Sequence, residues 1–107
     1  MSGKHAEAAG ALRRSIELDP NYDESHYFLG LILRMSKQFE ESAREFETAL
    51  RLNPRHARAC GNLGLVQMEL GNFPAAAQQF ERALQLDPKD QIARDMLQRI
   101  RQSTGLK

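Results

Sequence analysis

The chain has 107 residues, with 15 Lys and Arg against 14 Asp and Glu, giving a formal net charge of +1. That length suits one domain, and the near-neutral balance lacks the strongly basic face of a dedicated nucleic-acid binder. A single cysteine, Cys60, excludes an intramolecular disulfide and a multi-cysteine zinc site. No apolar run approaches the ~18 residues of a membrane span, and the opening Met1-Ser2-Gly3-Lys4-His5 has no signal-peptide core. Trp is absent, while Ala, Leu, Glu, Gln and Arg dominate, which is a helical composition. The expectation is an all-α domain of a reducing, cytoplasmic compartment, with no cofactor and no membrane insertion.

In chain order, residues 4–18 place Ala8, Ala9, Leu12 and Ile16 at helical spacing and stop before Pro20. Asn21 with Glu24 suggests a capping box for a helix over 22–36, whose apolar positions include Leu29, Ile32 and Leu33. Phe39, Ala43, Phe46, Ala49 and Leu50 predict a helix over 39–52. The pattern then repeats, with helices over 56–70 and 73–86. Between them Gly71 suits a left-handed C-cap, Asn72 an N-cap, and Pro74 a first turn that needs no N–H. Residues 90–102 put Ile92, Ala93, Met96, Leu97 and Ile100 on one face of a sixth helix. Short turns make neighbouring helices antiparallel.

The repetition is in register. Pro20, Pro54 and Pro88 are spaced 34 positions apart. With that offset Leu29-Gly30-Leu31 lies over Leu63-Gly64-Leu65, and Phe39, Ala43, Phe46, Ala49 and Leu50 lie over Phe73, Ala77, Phe80, Ala83 and Leu84. A fixed period of this size marks a stack of supersecondary units.

These residues resemble the tetratricopeptide repeat, whose signature is W-x2-L-G-x2-Y, then A-x3-F, then P. The second unit reads His26-x2-Leu29-Gly30-x2-Leu33, Ser42-x3-Phe46, Pro54. The third reads Cys60-x2-Leu63-Gly64-x2-Gln67, Ala76-x3-Phe80, Pro88, and the first keeps only Ala8-x3-Leu12 and Pro20. Neither full unit has the aromatic before Leu-Gly, and Lys37 replaces the inter-helix glycine of the second. The resemblance implies a right-handed superhelical array of antiparallel helix pairs. The units are a half repeat over 4–20, full repeats over 21–54 and 55–88, a capping helix over 89–102 and a tail over 103–107. Gly30 and Gly64 then allow close helix approach, and their replacement overpacks the stack.

Catalytic chemistry has little support. His26 and Cys60 occupy one repeat slot, where the resemblance implies a packing side chain. His56 reads as a solvated residue at a helix start. No phosphate loop or nucleophile motif is present, since Gly61-Asn62-Leu63-Gly64 lies inside a helix. Glu40 and Arg44 read as an exposed i,i+4 pair.

The resemblance also implies that the first helix of each pair lines a concave groove that holds a peptide or helix of another protein. Tyr27, Leu31, Arg34, Arg58, Asn62, Leu65 and Met68 are the candidate ligand-binding residues, with Tyr27, Leu31, Leu65 and Met68 as apolar floor and Arg34 and Arg58 as rim; packing within the array is the alternative role for Tyr27, Leu31 and Leu65. Asn62 matches a family asparagine that bonds ligand backbone. The resemblance includes a subtype that clamps acidic chaperone C-termini through Lys, Asn, Asn, Lys and Arg. Here those slots hold Tyr27, Leu31, Asn62, Ile92 and Met96, and a one-unit shift does not complete the set. The expected function is therefore a non-catalytic protein-interaction module of a larger, bacterial-type protein or assembly. The alternative is homodimerisation through residues 4–18, whose apolar side a missing partner helix leaves covered on one flank only. Nucleic acid is not an expected partner.

Overall fold

The computed structural model describes residues 2–104, with the side chain of the last left aside. It contains six helices: α1 (Gly3–Leu18), α2 (Asp23–Met35), α3 (Phe39–Leu52), α4 (Ala57–Glu69), α5 (Phe73–Leu86) and α6 (Gln91–Thr104). No strand occurs among the described residues. Each helix end falls within two residues of its sequence-based position. Residue 103 and the backbone of 104, read as tail, belong to α6, and 105–107 lie outside the described residues.

Every helix packs on the next in chain order. Within this zigzag α2 also meets α4, and α4 meets α6, whereas the backbones of α1 and α3, and of α3 and α5, do not approach one another. The odd-numbered helices therefore splay apart while the even-numbered ones converge. That asymmetry produces a curved array instead of a closed bundle. Its extents are 43 × 27 × 19 Å, and the thinnest dimension is about two helix diameters.

Small residues set the spacing. A Cβ added to Gly30 would lie 2.7 Å from Phe46 Cε1, and one added to Gly64 would lie 2.7 Å from Phe80 Cε1. Both rings are fully buried. Each Leu-Gly pair thus holds a phenylalanine against bare helix backbone, once per period. Ser42 Oγ, also buried, donates to the Gly30 carbonyl at 2.7 Å and ties α3 to α2.

The turns repeat equally closely. Gln38 N donates to Leu33 O and Lys37 N to Arg34 O, both at 2.9 Å; Asn72 N and Gly71 N do the same to Gln67 O and Met68 O at 2.8 and 3.0 Å. This Schellman arrangement requires a left-handed residue, and Gly71 has φ +79°. Lys37 occupies the same slot at φ +61°, a conformation a non-glycine residue adopts at a cost of about 1–2 kcal/mol. Before each of α2, α4 and α6 the side chain of Asp19, Asn53 or Asp87 accepts from the backbone N–H two residues on, across the proline.

Several local expectations fail for identifiable reasons. The Asn21–Glu24 capping box does not form, because the N-cap is Tyr22, without a side-chain bond, and Glu24 is recruited by the next repeat. Asn72 sits at the N-cap, but its amide bonds Gln67 Oε1 instead of capping. Glu40 and Arg44 do not pair; the neighbouring Glu41 takes Arg13 of α1 at 2.7 Å, bridging the splayed side of the array. On α6, Ala93, Leu97 and Ile100 are buried, but Ile92 is 63 % exposed and turns from the core.

Candidate functional site

The even-numbered helices present one continuous face. Along it lies a hollow of about 550 Å³, lined by Arg34 and Met35 of α2, Lys37 and Phe39 of the following turn, Leu65, Met68 and Glu69 of α4, and Met96 and Arg99 of α6. A second hollow of about 330 Å³ shares Arg34 and Leu65 and continues past Tyr27, Arg58, Asn62 and Ile92. The two form one groove crossing α2, α4 and α6.

Six of the seven expected residues line this groove: Tyr27, Arg34, Arg58, Asn62, Leu65 and Met68. Leu31 lines neither hollow, although like Leu65 and Met68 it is partly buried against the core. Tyr27 takes the packing role that stood as the alternative to a solvent-facing floor. It is only 4 % exposed, and its ring packs 5.9 Å from Phe46 and 4.6 Å from His56, so it is chiefly a core residue whose outer edge reaches the groove. The Arg58 guanidinium lies over that ring at 5.0 Å. Burial pushes the Tyr27 phenol above its ordinary value, against the opposing pull of the Arg58 charge.

Asn62 donates from Nδ2 to Arg58 O at 2.9 Å and to the Tyr27 hydroxyl at 3.4 Å. Its carbonyl oxygen has no partner among the described residues and is free to accept a ligand N–H. Among the described residues the Arg34 side chain makes no ion pair, and its Nε is enclosed without a hydrogen-bond partner. Sequence reasoning missed Lys37, Phe39, Met96 and Asp90 as groove residues. Met96 was detectable, since it follows Phe28 and Asn62 in the 34-residue register. Lys37 and Phe39 lie in a turn that helical-face arguments do not address.

The groove is braced from behind by His56, which is buried and not solvated as expected. Its Nδ1 accepts from Ala59 N at 3.1 Å, capping α4, so its proton sits on Nε2 and is donated to Glu24 Oε1 at 2.5 Å. Asp23 adds a bond from Asn53 Nδ2 at 3.1 Å. Asp23, Glu24 and His56 offer ligand atoms within 4.8 Å of one another. They do not make a metal site: one ring nitrogen is filled by a backbone donor and the other carries the proton that holds Glu24. The cluster is an inter-repeat joint.

His26 and Cys60 show how one slot is satisfied twice. The His26 ring nitrogens meet Pro20 O and Glu45 Oε1, each at 2.9 Å. Where Cys60 stands instead, Arg82 reaches across to Pro54 O at 2.9 Å, and Gln79, in the Glu45 slot, keeps a buried Oε1 without a partner. The Cys60 thiol is fully buried, and burial pushes its pKa up, which disfavours the thiolate.

A tetratricopeptide repeat family model matches residues 2–45 and 36–91, most of the chain. The chain belongs to the tetratricopeptide repeat family. Solved structures of such domains superpose closely. The first such domain of Spaghetti (RPAP3), bound to an HSP90 peptide, gives a TM-score of 0.93 at 23% identity, over 97% of this chain and 82% of that one. MamA gives 0.93 at 25% identity, over 97% of this chain and 61% of its own. The second tetratricopeptide domain of human RPAP3, in complex with an HSP70 peptide, gives 0.87 at 24% identity, over 92% and 82%. No curated protein matches by sequence. No helix among the described residues is long and apolar enough to cross a membrane.

Proposed function

We propose that this tetratricopeptide domain is a non-catalytic interaction module that holds a peptide or helix of another protein in the groove across α2, α4 and α6. The observation that carries the reading is the groove itself, where partly buried Leu65 and Met68 lie beside exposed Met35 and Arg34, which has no ion-pair partner among the described residues. Leu65 and Met68 supply apolar contact, Arg34 and Arg58 supply charge at the rim, and the Asn62 carbonyl reads a backbone N–H. The two RPAP3 structures, which hold chaperone peptides, lend support by fold. The slots that would clamp a chaperone tail hold Tyr27, Leu31, Ile92 and Met96, so this groove serves a different ligand.

Homodimerisation through residues 4–18 has one observation in its favour: Leu18, at the end of α1, is 88 % exposed. The apolar side of α1, however, is engaged by α2, with Ala9 against Leu29 and Leu33 and with Leu12 and Ile16 packed around them. Affinity purification with Leu65→Glu and Leu18→Glu, alongside sedimentation, separates the two. Partner capture lost with Leu65→Glu alone supports the groove. A dimer abolished by Leu18→Glu, with capture indifferent to Leu65→Glu, overturns it.

A further inference from the structure

The larger hollow combines two chemistries. Its floor is Leu65, Met68 and Met96, and its wall carries Arg34, Lys37 and Arg99 against a single acid, Glu69. None of the three cations has an ion-pair partner among the described residues, whereas Arg13, Arg58 and Arg101 each find a carboxylate. Unpaired cations around an apolar floor complement a chain that brings carboxylates and an apolar side chain together. Methionines, being unbranched and polarizable, adapt to varied apolar shapes. The floor offers no hydrogen-bond donor, so a terminal carboxylate placed there would be desolvated without a partner.

We infer that this hollow receives an internal segment of an acidic protein, with a large apolar side chain on Leu65, Met68 and Met96 and flanking carboxylates on Arg34, Lys37 and Arg99. The inference rests on the groove reading above and specifies its ligand. No chain terminus is required, unlike a terminal-carboxylate clamp.

The test titrates the isotope-labelled chain with short synthetic peptides, followed by amide chemical shifts. The parent probe is an acetylated, amidated peptide of Asp and Glu around a central Leu pair. Its companions are the free-acid form, an Asn/Gln isostere, a Gly-for-Leu version and a Lys-rich version. The parent and its free acid are expected to bind within about twofold of each other, shifting the amides of Lys37, Met68 and Arg99. The isostere and the Gly version are expected to be weaker by roughly tenfold or more, and added salt to weaken the parent. Lys37→Glu combined with Arg99→Glu reverses two exposed charges and should cost roughly tenfold at low salt. Both side chains are exposed, and circular dichroism confirms that helicity survives. Equal binding of the isostere or the Lys-rich peptide, strong preference for the free acid, or no shift at roughly millimolar peptide overturns the inference. Tighter binding of a thymidine oligonucleotide does so too. Groove occupancy by a neutral or basic peptide would leave the groove reading standing while removing this one; parent shifts confined to α1 would remove both.

Discussion

The Leu-Gly pair can be tested by adding one methyl group. In Gly64→Ala the new Cβ meets Phe80 Cε1, Cζ and Cδ1 at 2.7, 2.8 and 2.9 Å. Carbon atoms rest about 3.5–4.0 Å apart, so the ring must retreat by close to an ångström. Phe80 is fully buried in one core cluster with Ala76, Ala83 and Leu63, and it also borders the smaller hollow, so the ring can retreat only by shifting against these neighbours or into the groove wall. Overpacking of this kind costs about 1–3 kcal/mol, and three simultaneous overlaps place it near the upper end. Replacing glycine within a helix returns about 1 kcal/mol. The net expectation is a loss of about 2 kcal/mol, or about 8–16 °C in Tm for a domain of this size. Gly10→Ala is the control, since a Cβ there meets nothing within 4 Å, and the same helix-propensity gain stands alone. Urea and thermal unfolding followed by circular dichroism measure both. A Gly64→Ala chain as stable as the parent would refute the close-approach argument. So would a Gly10→Ala chain destabilised to the same degree. Pairing Gly64→Ala with Phe80→Leu should give a favourable coupling of about 0.5 kcal/mol or more, because the smaller side chain vacates the overlapped space.

Two further outcomes follow from the joint behind the groove. His56→Ala removes the α4 cap and leaves Glu24 only its 3.5 Å contact with Arg58, for a loss of about 1–3 kcal/mol in urea unfolding, while His56→Asn keeps a capping acceptor and should lose less. Equal stability of all three proteins would dismiss the joint. The raised Tyr27 pKa makes stability depend on alkaline pH. Its folded value lies above the unfolded one, so its contribution is intact below the ordinary phenol pKa of about 10 and is lost as pH rises through the raised value. Tyr27→Phe should flatten that decline in Tm between neutral and strongly alkaline solution.

What the sequence made legible is what repeats. The 34-residue register located six helices, both glycine–phenylalanine contacts and most of the groove, because those features depend on side chains whose role is the same in each unit. What it hid is what differs between units. Tyr22, His56 and Asp90 share one register slot, yet Tyr22 caps nothing, His56 caps α4 and holds Glu24, and Asp90 caps α6 through Ala93 N. A buried histidine with its partner thirty-two positions upstream has no local signature. Tyr27 is similar: its place on a groove-facing helix left core packing and ligand contact both open, and His56 and Phe46 draw its ring into the core.

That distinction also bears on ligand choice. The repeated slots carry the stacking contacts, and the joint engages Tyr27, Glu24 and Asp23. On the proposed groove reading, specificity falls to the residues that escape both constraints. On α2, α4 and α6 these are Arg34, Met68, Met96 and Arg99, joined by Lys37, which occupies a left-handed slot that Gly71 fills without strain. Lys37→Gly separates the two demands on that position. It should relieve about 1 kcal/mol of backbone strain, offset by the greater freedom of glycine in the unfolded chain, while deleting one of the three groove cations. A chain as stable as the parent that holds the acidic peptide less tightly would show that the lysine is kept at that turn for its charge. Unchanged peptide binding would place Lys37 outside the site.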